Sequence, residues 1–155
     1  MAENFDITKT LTVTNDVYTI GDAVGGAITL PGIIRSGGAH AWITEIILSG
    51  VAAIPYQLWF FPTDIATPAA DNAELALVAA DIAKNDGVIA ILATNYLAPK
   101  ASFNVATLTP SSGANLPLEV TPTSGTSMIA YLQAMATTSP GTTTRTVRMK
   151  GVWLD

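Results

Sequence analysis

The one histidine is where catalytic chemistry would have to start. His40 closes the run Gly37-Gly38-Ala39-His40, and a loop histidine can serve as a base toward a serine or cysteine. The chain has no cysteine, and none of its serines stands in a Gly-x-Ser-x-Gly setting. A lone histidine cannot build His-Glu-x-x-His, and the missing thiols exclude disulfides and Cys-based zinc sites. Gly21-Asp22-Ala23-Val24-Gly25-Gly26 does not match Gly-x-Gly-x-x-Gly, and no phosphate loop with its Gly-Lys ending occurs. His40 therefore reads as a solvent-facing or interface side chain. The glycines read as turn residues with positive φ.

Paired carboxylates can hydrolyse glycosides, so the acids come next. Glu45 and Glu119 fall in predicted strands, while Asp64, Asp71, Asp81 and Asp86 flank a predicted helix. Asp71 has the position of a helix cap and Asp86 that of a turn residue. Asp81 and Asp86 do not have the spacing of a calcium-binding EF-hand loop. No pair stands out, and neither a catalytic residue nor a metal or cofactor site is assigned. Trp42, Tyr56, Trp59, Phe60, Phe61, Tyr96, Phe103, Tyr131 and Trp153 could stack on sugars, but packing between sheets accounts for most of them. Trp59, Phe60 and Phe61 are consecutive, so at least one points away from the others. Arg145, Arg148 and Lys150 form a small basic stripe whose spacing keeps all three from sharing one strand face.

Short β-like runs separated by turn clusters would have to position these residues. Thr8–Thr14 alternates, with Leu11 and Val13 on one face and hydroxyls, with Lys9, assigned to the other. Ala27–Ile34 is interrupted by Pro31-Gly32, a bulge or edge signal. Ala41–Ser49 is the strongest strand, and Tyr56–Phe61 follows between Pro55 and Pro62. Asp71-Asn72-Ala73-Glu74 looks like a capping box, and Leu75, Val78, Ala79 and Ile82 recur at helical spacing, predicting one short helix over 72–83. Asn85-Asp86-Gly87 is a turn, and five more strand-like runs lead to Leu154. About nine strands and one helical insertion predict an all-β fold, a jelly-roll-like β-sandwich. Leu48, Leu58, Phe60, Ile89, Ile91 and Leu132 are its expected core.

Composition narrows the function classes. Only 12% of the 155 residues are charged, against an apolar fraction of 49%, about half the usual charged share of ~25%. That pattern excludes intrinsic disorder. A net charge of −5 with seven Lys and Arg argues against nucleic acid as a partner. Mean hydropathy is +0.40, yet no run approaches the ~20 apolar residues of a spanning helix, so no membrane partner is expected. The acidic start, Met1 to Asp6, lacks the regions of a secretory signal peptide, and a soluble protein outside the Sec route is expected. Two things could keep so uncharged a chain dispersed. Its 21 Thr and 8 Ser can wet a sheet, or much of its surface can face other subunits.

The order of several motifs resembles a known family. Tyr18-Thr19-Ile20-Gly21-Asp22-Ala23-Val24-Gly25-Gly26 precedes a strand and the loop Ser36-Gly37-Gly38. Then come Ile43–Leu48, Leu58-Trp59-Phe60-Phe61-Pro62, Pro68-Ala69-Ala70-Asp71-Asn72-Ala73 and a closing strand, Val147–Asp155. From about Tyr18 onward this resembles the jelly-roll head decoration, or cement, proteins of tailed bacteriophages. The resemblance implies a non-enzymatic structural virion protein, often trimeric, made in the host cytoplasm and bound to the major capsid protein on the outer surface of the capsid. Residues 18–155 would be the β-sandwich domain. Residues 1–17 would be an N-terminal strand or arm, lying in their own domain or crossing to a neighbour. Candidate interface residues are Thr8, Thr10, Leu11, Val13 and His40. The alternative is a carbohydrate- or receptor-binding jelly-roll module of a phage fibre or tail, which would need a free aromatic platform near Trp42, Trp59 or Trp153.

Overall fold

The structure, a computed structural model, describes residues 3–38, 40–100 and 103–154. It is an all-β sandwich of two antiparallel sheets. Its strands are β1 (Asn4–Thr12), β2 (Ala23–Leu30), β3 (His40–Gly50), β4 (Tyr56–Phe61), β5 (Gly87–Ile91), β6 (Tyr96–Lys100), β7 (Phe103–Leu108), β8 (Leu118–Val120), β9 (Met128–Ala134) and β10 (Thr144–Leu154). The first sheet runs β1-β10-β3-β7-β6, with β8 also pairing β3, and the second runs β2-β9-β4-β5. The chain crosses between sheets after β1, β2, β3, β5, β8 and β9. That winding, with the last strand beside the first, is the double Greek key of a jelly roll. No helix among the described residues is long and apolar enough to cross a membrane.

Inward side chains of both sheets make one core. Leu48, Leu58, Phe60, Ile89, Ile91 and Leu132 are all fully buried in it, as expected. β1 forms an edge of the first sheet, pairing with β10 along nine residue pairs from Asn4↔Val152 to Thr12↔Thr144. It buries Phe5 as well as Leu11, with Val13 just beyond its end. The strand therefore begins four residues earlier than its Thr-rich run. Lys9 shares the parity of Leu11 and not that of the threonines.

Two irregularities set which residues face inward. Between Lys150 and Gly151 the β3–β10 register shifts, leaving Thr44 as an extra residue whose Oγ1 donates to the Lys150 carbonyl (3.3 Å). Gly151 is required at this bulge, because a Cβ there would lie 2.1 Å from the Trp42 carbonyl oxygen and against the Phe5 ring. In β2 the register jumps from Val24 to Ala27. Gly25 and Gly26, at φ 77° and 68°, form a bulge inside the strand and not a connecting turn. Pro31-Gly32 lies just past the strand, in a turn.

The helix departs from expectation. Helical backbone covers only α1 (Ala79–Lys84), not 72–83. The Asp71 carboxylate does not cap it, because distant partners occupy both oxygens: the Thr14 amide (2.8 Å), the Tyr18 hydroxyl (2.6 Å) and the Gly25 amide (2.6 Å). Backbone bonds from Ala23 to Ala73 and from Leu75 to Gly21 hold the 71–75 stretch, a turn with Asn72 at φ 58°, beside the start of β2. Leu75 is buried while Ile82 is exposed, so the apparent helical stripe is split. Asp81 caps α1 from within: its carboxylate accepts the amides of Val78 (3.2 Å) and Ala66 (2.9 Å).

Candidate interaction surface

The two sheets differ in what covers their outer faces. On the second sheet, Phe61, Tyr131 and Ala23 face outward, and the 62–77 excursion folds over them with Ile65, Ala69 and Leu75. Trp59 stacks on Phe61 (6.4 Å between centroids, 6° between planes) and donates its indole N–H to Gln133 (3.0 Å). The Tyr131 hydroxyl donates to Asp64 (2.7 Å). The chain's own atoms cover the centre of this face, while Ala27, Thr29 and Ala90 toward its edges stay exposed.

The outer face of the first sheet has no such cover. Its rows follow from the strand registers. Asn4, Val152, Trp42 and Glu119 lie side by side, then Asp6, Lys150 and Glu45, then Thr8, Arg148, Ile47 and Thr107, then Thr10, Thr146, Ser49, Val105 and Leu97. Charges on this face are paired with one another. Arg148 holds Asp6 through Nε (2.8 Å) and Nη2, and Lys150 meets Glu45. The Arg148 hydrogen bonds keep the Asp6 carboxyl below its ordinary range. His40 lies at one end, with Nδ1 3.6 Å from Glu119 Oε1.

The expected interface residues thus divide. Thr8, Thr10 and His40 lie on the open face, and Thr8 and Thr10 are exposed there. Leu11 and Val13 turn into the core. Of the basic stripe, Arg148 and Lys150 share the open face. Arg145 is buried, its Nη2 donating to the Ala52 carbonyl (2.9 Å) and its guanidinium 5.1 Å over the Tyr56 ring. Trp153 packs against Phe5 and donates to the Ile33 carbonyl (3.2 Å), so with Trp59 stacked, Trp42 is the tryptophan left 41% exposed. Ile47, Val105 and Leu97 were not singled out from the sequence. The extra residue at Thr44 hides which face Ile47 joins, and β6, which carries Leu97, falls in a stretch that reads as a separator between strands.

Most of the acids singled out have structural partners. Asp86 accepts the Thr121 amide (2.7 Å) and burial raises its carboxyl above the ordinary value. Among the described residues, no group of three or more His, Cys, Asp or Glu gathers to hold a metal ion. No protein-family model and no curated protein matches this chain. Among solved structures, a chain of Desmodium yellow mottle tymovirus aligns over 100% of this chain and 84% of its own, at 12% identity and a TM-score of 0.26. That likeness is too weak to bear on fold or role, and the jelly-roll assignment rests on the strand order alone.

Proposed function

We propose that this chain is a structural virion protein: a decoration, or cement, protein of a tailed bacteriophage that binds the outer surface of the head and ties neighbouring major capsid proteins together. In this reading it is made in the host cytoplasm, joins the particle as a homotrimer and performs no catalysis. The observation that supports it is the uncovered outer face of the first sheet, set against a second sheet whose centre is covered by its own chain. A contact surface is cheapest to desolvate where charges are few or already paired. Here the central ones pair with each other, and hydroxyls and aliphatic groups make up the rest.

Imaging the particle with which the protein copurifies tests this. Density for the sandwich over capsid-protein junctions, contacted through the Thr8–Trp42 face, is the expected result. Particles that assemble and survive heating equally well without the chain would overturn the cement role. A second reading, a glycan-binding module of a fibre or tail, has one observation in its favour: exposed Trp42 beside Glu119, an aromatic face next to an acceptor. Glycan binding lost in Trp42→Ala, with particle occupancy intact, would select it.

A further inference from the structure

Four strand edges bound the two sheets, and three of them are blunted. β6 carries Pro99 and a register shift between Leu97 and Lys100. β2 breaks at its Gly25-Gly26 bulge, and the 71–75 stretch bonds to its first residue, Ala23. β5 has five residues, and Leu118 packs so closely on Gly87 that a Cβ there would collide with it. β1 is the exception: nine residues with no proline, no glycine and no register shift. A sheet edge left in that state is a template for another strand.

The ladder fixes which groups of β1 are free. Trp153 donates to the Glu3 carbonyl and Val13 to that of Thr143, so the odd-numbered residues turn their amides and carbonyls to β10. The even-numbered ones, from Asn4 to Thr12, turn theirs to the edge, and every one of them is exposed. Among the described residues no partner reaches the amides of Asp6, Thr8, Thr10 or Thr12. The next edge-side amide, that of Thr14 beyond the strand, is taken by the Asp71 carboxylate (2.8 Å).

Charge selects a second copy as the occupant. The whole chain has a net charge of −5, yet β1 and the groups bonded to it are close to neutral. Lys9, Arg35, Arg145, Arg148 and Lys150 lie there, against Glu3, Asp6, Glu45 and Asp71. Two copies meeting at this edge avoid the repulsion that the rest of the surface imposes. The strand is also self-complementary. An antiparallel pair uses the free groups only if even-numbered residues face even-numbered ones. Centred on Thr8, such a pair matches all nine residues, with Asp6 facing the partner's Thr10 and Ile7 the partner's Lys9. Centred on Ile7, it matches residues 4–10, again with no like charges opposed. Centres at Asp6 or Lys9 would set like charges face to face, which is destabilising.

We propose that two copies of this chain join through β1, edge to edge and antiparallel, so that their first sheets run on as one. The pair makes roughly eight to ten new backbone hydrogen bonds and continues the open face across the junction. It is a two-fold contact, separate from the homotrimer of the virion reading; on a particle it would tie one trimer to the next. It does not depend on that reading, and its test uses the free chain, so its failure leaves the cement role standing.

Light scattering and amide hydrogen exchange of the purified chain, from micromolar to near-millimolar concentration, test this. Mass should rise toward twice the 16.1 kDa of one chain and stop there, because pairing consumes the edge. The amides of Asp6, Thr8 and Thr10 should gain protection over the same range. Thr8→Pro removes one edge-side donor from each copy and none from the β1–β10 ladder. It should keep the fold and raise the association midpoint about tenfold. Should that variant melt early, cysteine placement decides, since the chain has no cysteine of its own. Thr8→Cys should cross-link into dimers on mild oxidation, while Thr107→Cys, in the same row but on β7, should not. Monomer mass throughout would overturn the proposal. So would pairing without new protection in β1, or cross-linking as fast at position 107 as at position 8.

Discussion

Arg145 is the side chain whose placement costs most. It is 1% exposed, and its Nε and Nη1 find no hydrogen-bond partner. A buried charge with unmet donors is often replaced by an apolar side chain of similar volume at no loss. Arg145→Met should therefore match or exceed the wild type in denaturant midpoint, while Arg145→Ala, which leaves a void, should cost about 2–5 kcal/mol. Gly50 lies against it: a Cβ there would stand 2.5 Å from Nη1. A Gly50→Ala, Arg145→Met cycle should show the two positions coupled. All four tyrosines have hydroxyls raised above their ordinary 10, chiefly by burial, and those of Tyr18 and Tyr56 are pushed up to about 12. The folded state holds these protons more tightly than the unfolded state does. Their contribution is present in full below pH 10, and the part owed to Tyr18 and Tyr56 is lost as pH rises from 10 to about 12. Alkaline unfolding in that window, preceded by suppressed tyrosinate absorbance, is the expected outcome. Tyr56→Phe should flatten the pH dependence.

At the scale of elements, β1 has enough burial to be part of its sandwich. Phe5→Ala should cost about 3–5 kcal/mol, and removing residues 1–12 should collapse the melting transition, since Leu11 and Phe5 go with it. An unchanged melting temperature after that deletion would mean the strand contributes nothing to its own domain. Most strands were legible from alternation and turn residues, but β6 was not, because Pro99 marks its stretch as a separator. Their faces were legible only where alternation runs unbroken. Strict parity from Ala41 would pair Ile43 with Glu45 and Ile47 on one face, yet the bulge at Thr44 puts Ile46 and Leu48 in the core instead. A bulge depends on the partner strand, here on bare Gly151, and local sequence does not reveal it. The helix was misplaced for a similar reason. Asp71 serves Thr14, Tyr18 and Gly25, partners 46 to 57 residues away, and such contacts override a local capping signal. The trio Trp59, Phe60 and Phe61 did divide as expected, one inward and two outward.

For the whole molecule, the contrast between one face covered at its centre and one left open organises the surface. Charge substitutions on the open face should leave folding intact and act on binding. Trp42→Lys should melt like the wild type, because the side chain is already 41% exposed, and should lower particle occupancy. Equal occupancy would move the docking surface elsewhere. The outward position of Thr8 and Thr10 was legible from the alternation of their run. That of Ile47, Val105 and Leu97 was not, and only the assembled registers bring them side by side.

The layer formed by residues 62–77 has a further consequence for how the protein breathes. Strands β4 and β9 lie at the centre of the second sheet, between the main core and a second apolar layer. Their amides can meet solvent only if both layers open together. Native-state hydrogen exchange should rank them slowest, at the rate of global unfolding, while edge strands β1 and β6 exchange through local fraying. That outcome would grade the molecule in rigidity from back to front, leaving the sheet with the open face free to adjust its curvature to an opposing surface while the sheet behind it holds its shape.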